Sequence, residues 1–278
     1  KKFAEMDVKE KDAHLVVHGV DYLSEDEEFV MFGEVFGDKK GGVDLKNKIG
    51  FFIRSFIDQG EVISKKTCSW KEDVSKKIDI NDKGKFADCV SIMNHKIVKK
   101  KDKRYFAIGE QFNKEISAGG LAVKALGGSA SAMKIALYNF MTFEFDKDLN
   151  LLKVDMILLD KTNIFLPEGY GTVSEDKLGY MLKIYGWFNY NFTTINSDRS
   201  NFSAVYTKYN RGASNKDNRY TVGVISLDSD NKLVDKKVEL TSKPTAFVSL
   251  PTKPGYVAIF EYFKKEKYAE IRLEKLDL

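Results

Sequence analysis

An octapeptide recurs four times along this chain, and any fold must place all four copies. It reads Phe29-Val-Met-Phe-Gly-Glu-Val-Phe36, Tyr105-Phe-Ala-Ile-Gly-Glu-Gln-Phe112, Phe202-Ser-Ala-Val-Tyr-Thr-Lys-Tyr209 and Tyr256-Val-Ala-Ile-Phe-Glu-Tyr-Phe263. Each copy begins and ends on an aromatic residue, and its middle is apolar or small. The sixth position is Glu34, Glu110 or Glu261 in three copies and Thr207 in the other. A run apolar on both faces predicts a strand with packing on either side.

The flanks repeat as well. Before each octapeptide lies another strand pattern: Ala13-His-Leu-Val-Val-His18, Val90-Ser-Ile-Met93, Trp187-Phe-Asn-Tyr-Asn-Phe192 and Thr245-Ala-Phe-Val-Ser-Leu250. After three of the copies, Phe51–Ile57, Met141–Phe145 and Thr221–Ile225 run up to the turns Asp58-Gln-Gly60, Asp146-Lys-Asp148 and Asp228-Ser-Asp230. Strands then resume at Glu61, Leu149 and Lys232. Asp and Gly tolerate the backbone angles of tight turns, so these are hairpins. The repeating unit is a four-stranded antiparallel meander with the octapeptide as its second strand. Repeated meanders predict an all-β fold, a propeller-like array of about four units. The units span approximately 10–75, 85–160, 187–240 and 244–278 and are expected to form one domain over 1–278. The copies start at 29, 105, 202 and 256, so the intervals of 76, 97 and 54 residues require insertions. The last unit lacks a fourth strand, which residues 1–9 are expected to supply, closing the ring and removing a sheet edge.

Two segments depart from the strand pattern. Residues 117–136, rich in Gly, Ala and Ser, are expected to form a long mobile loop. Ser174-Glu-Asp-Lys-Leu-Gly-Tyr-Met-Leu-Lys-Ile-Tyr-Gly186 has an N-capping Ser, acids in its first turn and a terminal Gly, which together predict a short helix.

Chemistry is limited by composition. Lys and Arg number 45 against 41 Asp and Glu, a net charge of +4, and there are only three His and two Cys. That balance disfavours a dedicated nucleic-acid binder, and Lys99-Lys-Lys-Asp-Lys-Arg104 is expected to be a solvated loop. Cys68 and Cys89 match no zinc or redox spacing, leaving one disulfide and two buried thiols both open. His14 and His18 have the spacing of a zinc-protease helix but lack its Glu and lie in a strand, so no metal is expected. No Gly-x-Ser-x-Gly or phosphate-cradling glycine pattern occurs, and no cofactor is implied. Asp146-Lys-Asp-Leu-Asn150 opens like a calcium loop but lacks its later Gly and acid. The Asp turns also lack the Ser-x-Asp-x-Gly-x-Thr-Trp box of sialidases.

Two groups of residues remain as candidates. Glu34, Glu110 and Glu261 hold one position in three units, where they can bind a cation or basic ligand or be neutralised by backbone amides and by Lys or Arg of neighbouring units. Tyr180, Tyr185, Trp187, Tyr190 and Phe192 form an aromatic concentration, with Tyr185, Trp187 and Tyr190 the candidates for stacking on a ligand. No apolar run approaches the roughly 20 residues of a membrane-spanning helix. The chain begins at Lys1 and reads as a mature or trimmed form.

Through Tyr105–Phe112, Phe143-Glu-Phe-Asp-Lys-Asp-Leu-Asn150 and Pro254-Gly-Tyr-Val-Ala-Ile-Phe-Glu-Tyr-Phe263, the chain resembles an uncharacterised family of exported proteins of Bacteroidetes-type bacteria. The resemblance implies a periplasmic or cell-surface location and a propeller-like β architecture, and it transfers no functional residue. The expected function is a noncatalytic module binding a protein or glycan. The alternatives are a glycan-acting hydrolase using carboxylates from different units and a structural cell-surface repeat protein.

Overall fold

In a computed structural model of the chain, each octapeptide is the second strand of its own antiparallel sheet. Residues 13–39, 42–57, 60–80, 91–127, 132–167, 169–210, 219–228, 230–238, 240, 244–253 and 255–276 are described. The proposed closing segment 1–9 and Cys89 lie outside them. The first sheet runs β1 (Ala13–Leu23), β2 (Glu28–Lys39), β3 (Gly42–Ile57) and β4 (Val62–Ser69). The second runs β5 (Ser91–Lys99), β6 (Tyr105–Ile116), β7 (Met133–Phe145) and β8 (Leu151–Ile157), with β9 (Thr162–Phe165) pairing the start of β7. The third is β10 (Tyr190–Ile195), β11 (Phe202–Asn210), β12 (Arg219–Leu227) and β13 (Leu233–Val238), and the fourth is β14 (Ala246–Pro251), β15 (Tyr256–Phe263) and β16 (Tyr268–Lys275). The fold is therefore all-β, an array of antiparallel meanders with few helices.

The Asp hairpins form for the reason their sequence suggests. Asp146 accepts hydrogen bonds from the backbone N–H groups of Asp148 (2.9 Å) and Asn150 (2.8 Å), and Asp228 accepts from Asp230 and Lys232 (2.9 Å each). Each loop carries one left-handed residue, Leu149 or Asn231, just before the next strand. These side-chain bonds replace the ladder bonds that the turn interrupts. Of the first turn, only Gly60, at φ 85°, falls among the described residues.

Two expectations are corrected. Residues 117–136 are not one loop: Ser117 caps α1 (Ala118–Ala125) by accepting from Gly120 N–H at 3.1 Å, and β7 begins at Met133. The basic run is not a free solvated loop either. Lys99 binds Glu28 at 2.6 Å, Lys100 is buried and donates to Asn231 at 2.8 Å, and Arg104 binds Glu144 at 2.5 Å. The second helix falls over the expected segment, as α2 (Glu175–Ile184); Ser174 stands at its N-cap position without a side-chain capping bond, and the helix is ended by Gly186 at φ 63° with Trp187 N–H bonded back to Leu182. That is the terminal geometry that favours glycine.

The chain divides into two compact units, one of residues 1–99 and 103–187 and one of residues 100–102 and 188–278. In the first, the core joins β2 and β3 to β6 and β7. Phe51 packs on Phe143 at 4.7 Å between ring centroids, and Phe32 and Trp70 close around them. Even octapeptide positions (Val30, Phe32) come from the first sheet and odd ones (Tyr105, Ala107) from the second. The second unit has its own core, in which Val205, Val222 and Val224 meet Val257 and Ile259.

Candidate functional site

Beside the first unit's aromatic core lies a buried polar cluster, and the strand irregularities explain how it forms. Along β1, the pairing with β2 shifts between Val17 and Gly19, so His18 is an extra residue opposite the Phe32-Gly33 step. Along β5, the pairing with β6 shifts between Asn94 and Lys96, so His95 bulges opposite Ile108-Gly109. A bulge frees one side chain from the ladder and re-aims it. His18 Nε2 lies 3.4 Å from Glu34, and His95 Nε2 lies 3.6 Å from Glu110. In the third sheet the same shift, between Tyr190 and Phe192, releases Asn191, which donates to Thr207 at 2.8 Å. The octapeptide's sixth position thus has a polar partner on a bulge in three sheets: His with Glu twice, and Asn with Thr once.

The glycine before Glu makes this possible. A Cβ at Gly33 would stand 2.1 Å from the Val16 carbonyl oxygen and 2.7 Å from the Phe52 ring, and one at Gly109 would stand 2.8 Å from Ile92. In the third sheet the arrangement is inverted across the strand pair. Tyr206 takes the glycine's place, and its neighbour Gly223 provides the room.

The cluster is completed from two other elements, β3 and α2. Lys48 of β3 donates to Glu34 at 3.1 Å and to the Ser91 hydroxyl at 2.8 Å. Lys183, in the last turn of α2, donates to the backbone carbonyls of both bulges, Asn94 at 2.7 Å and His18 at 3.2 Å, so one ammonium joins the first two sheets. Tyr180 of the same helix meets His18 edge to face. At the start of α2, Glu175 accepts the Lys114 N–H at 3.1 Å and interacts with Ser91. A polar chain therefore runs Glu34, Lys48, Ser91, Glu175.

Electrostatics separate the acids at its two ends. Burial pushes the Glu34 carboxyl up, but Lys48 and His18 more than offset this and hold it below the usual carboxylate range. Glu175 is raised, mainly by burial and also by Glu34, against the opposing effect of Lys48. His95 is held well below its ordinary value by burial, then by Lys183 and His18. Burial likewise raises the Cys68 thiol to about 12, which makes it a poor nucleophile.

The sequence-predicted residues fall in different surroundings. Glu34 and Glu110 are buried in the first unit, each facing a histidine of its own sheet. Glu261 of the second unit is also fully buried and is bound by Arg272 of the adjacent strand at 3.2 Å. Tyr185 and Trp187 lie together at the end of α2, 57% and 38% exposed, with ring centroids 5.4 Å apart. Tyr190 is in the second unit, its hydroxyl 3.0 Å from Thr193, and Phe192 packs into that unit's core. Among the described residues, no three His, Cys, Asp or Glu side chains come together to hold a metal ion, and no helix is long and apolar enough to cross a membrane. Sequence reasoning set the histidines aside as ordinary ones and so did not place His18 and His95 in a site, and it missed Lys48, Lys183 and Glu175. A signal for the histidines existed, since each stands 15 or 16 residues before its glutamate, as Asn191 does before Thr207.

Among solved structures, the chain is similar to a protein of unknown function from Dyadobacter fermentans (9% identity, 96% of this chain, 64% of that one, TM-score 0.40). It also matches a GH32 β-fructofuranosidase of Bombyx mori (10% identity, 90% of this chain, 42% of that one, TM-score 0.31) and a mannose phosphorylase of Leishmania mexicana (8% identity, 97% and 86%, TM-score 0.21). The chain spans less than two thirds of the length of the first two. No curated protein matches it. Residues 1–277 match the family of unknown function DUF6770, and the chain belongs to that family.

Proposed function

We propose that this chain is a noncatalytic binding module of an exported bacterial protein, and that it receives a glycan on the aromatic step at the end of α2. The observation that carries the proposal is the contrast in exposure between its candidate residues. Glu34, Glu110 and Glu261 are at most 2% exposed and face cationic or imidazole partners inside the protein, whereas Tyr185 and Trp187 present their rings to solvent. The Gly186 turn fixes the two rings relative to each other. Rigid exposed aromatics supply contact area at low entropic cost.

One observation favours the hydrolase alternative. Glu34 and Glu175 have carboxyl groups pushed in opposite directions and linked through Lys48 and Ser91, the separation that assigns an acid and a base. Glu34, however, is buried and already engaged by Lys48 and His18.

A glycan and peptide binding screen on the purified chain separates the two. The binding proposal expects a glycan hit that is released intact. Tyr185→Ala with Trp187→Ala should weaken it at least tenfold at unchanged circular dichroism. Hydrolysis of the hit, abolished by Glu175→Gln, would establish the enzyme instead.

A further inference from the structure

The last strand of the fourth sheet is built inside out. On the core-facing side of β15, Val257 and Ile259 are fully buried, yet the β16 residues paired with them are charged, Glu274 and Arg272. Arg272 is neutralised there by Glu261 and Glu274. The middle of the opposite face holds only apolar residues. Val248 pairs with Phe260 and Phe260 with Ile271, and in the next row Leu250 pairs with Ala258 and Ala258 with Leu273. Ile271 is 72% exposed and Leu273 52%, and with Val248, Leu250 and Tyr262 of the same face they make an apolar patch on the order of 500 Å², as large as a single chain ordinarily leaves to solvent. Lysines stand at both ends of this array. The hairpin from β15 to β16 is Lys264-Lys265-Glu266-Lys267, and at the far end Lys275 pairs with Tyr256, whose ring lies under Lys253. Among the described residues none of these five lysines has a carboxylate partner, and the acids of β16, Glu270 and Glu274, occupy core-facing positions.

We infer that this face of the second unit docks on an anionic lipid surface, its apolar rows against the acyl boundary and its lysines in the headgroup layer. Side chains with no polar group among them fit hydrocarbon, and the long stems of lysine let ammonium groups reach the headgroups from the rim of the patch. Tyr262 is of the amphipathic type that settles between the two layers. Anionic headgroups attract lysines held within a Debye length of them. The same charges disfavour a second copy as the occupant. Because lysines flank the array at both ends, two such faces packed together would set lysine against lysine in either direction, whereas headgroups neutralise them.

Co-sedimentation of the full chain with vesicles decides the matter, using phosphatidylcholine alone and an equal mixture of phosphatidylcholine and phosphatidylglycerol. The mixed vesicles should bind the chain at least tenfold more tightly, and high salt should remove the difference. Ile271→Thr with Leu273→Thr, which keeps strand propensity, should weaken binding at least tenfold at unchanged melting temperature. Lys264→Gln with Lys265→Gln and Lys267→Gln, all in an exposed turn, should remove most of the preference for the mixed vesicles. Tyr185→Ala should have no effect. Absence of vesicle binding, equal binding to both vesicles, indifference to the Thr pair, or a dimer in sedimentation velocity that the Thr pair dissolves would each overturn the assignment.

Discussion

At the scale of single residues, the buried cluster sets how the protein responds to pH. His95 has an ordinary value of 6.5 and is held well below it in the fold. As pH falls through 6.5, the unfolded chain gains a proton there that the folded chain does not. Stability due to this group is therefore complete above pH 6.5 and falls on acidification, by up to about 1.4 kcal/mol per pH unit. Glu34 acts in a lower window. Its depressed value adds stability above its ordinary 4.5, and that stability is lost only as pH falls below it. The window of Glu34 lies below pH 5.0, whereas the raised Glu175 acts between pH 7.5 and 5.0 in the opposite sense to the histidine, so denaturant unfolding at those two values is compared between the protein and a His95 variant. His95→Gln should reduce the stability lost between those conditions, and an unchanged pH dependence would show that His95 is not the group responsible. The glutamates were legible in sequence because they recur at one position of an apolar octapeptide. Lys48, Lys183 and Glu175 were not, because their strands and helix are far apart in the chain and nothing local marks their meeting.

At the scale of elements, the strand patterns were legible because apolar runs between Asp and Gly turns reflect local geometry. The bulges were less so. An extra residue in a strand leaves the apolar pattern almost intact while changing where one side chain points. The segment 117–136 shows the reverse failure. Its glycines and serines suggest a loop, yet the Ser117 cap starts a helix, and residues 133–136 pair with β6 as the start of β7, Lys134 with Glu115 and Ala136 with Asn113. The glycines preceding Glu34 and Glu110 offer the sharpest test. Gly33→Ala places Cβ 2.1 Å from a backbone oxygen, while Gly109→Ala meets a movable Ile92 methyl at 2.8 Å and a backbone oxygen only at 3.1 Å. Thermal unfolding should show Gly33→Ala costing about 3 kcal/mol or more and Gly109→Ala about 1 kcal/mol, following the usual cost of forced overpacking. Equal costs would mean that β1 and β2 separate freely at the bulge.

At the scale of the whole molecule, a ligand that binds only the folded chain must raise its stability. A glycan hit at a hundredfold excess over its Kd should add about 2.7 kcal/mol, read as a rise in melting temperature that Trp187→Ala abolishes. A hit that leaves the melting temperature unmoved is not bound to the native fold. The sequence by itself determined the class of this protein and its repeated plan, because strand periodicity, turn chemistry and the octapeptide are local properties written in consecutive residues. Only the tertiary structure decided what the recurrent glutamates do, which aromatics face solvent and where lysines gather around an exposed apolar sheet face. Burial and charge pairing are set by residues distant in the chain. The same Glu that would be a ligand at an open surface becomes an internal counter-ion once a bulged histidine and a lysine from another strand are folded against it.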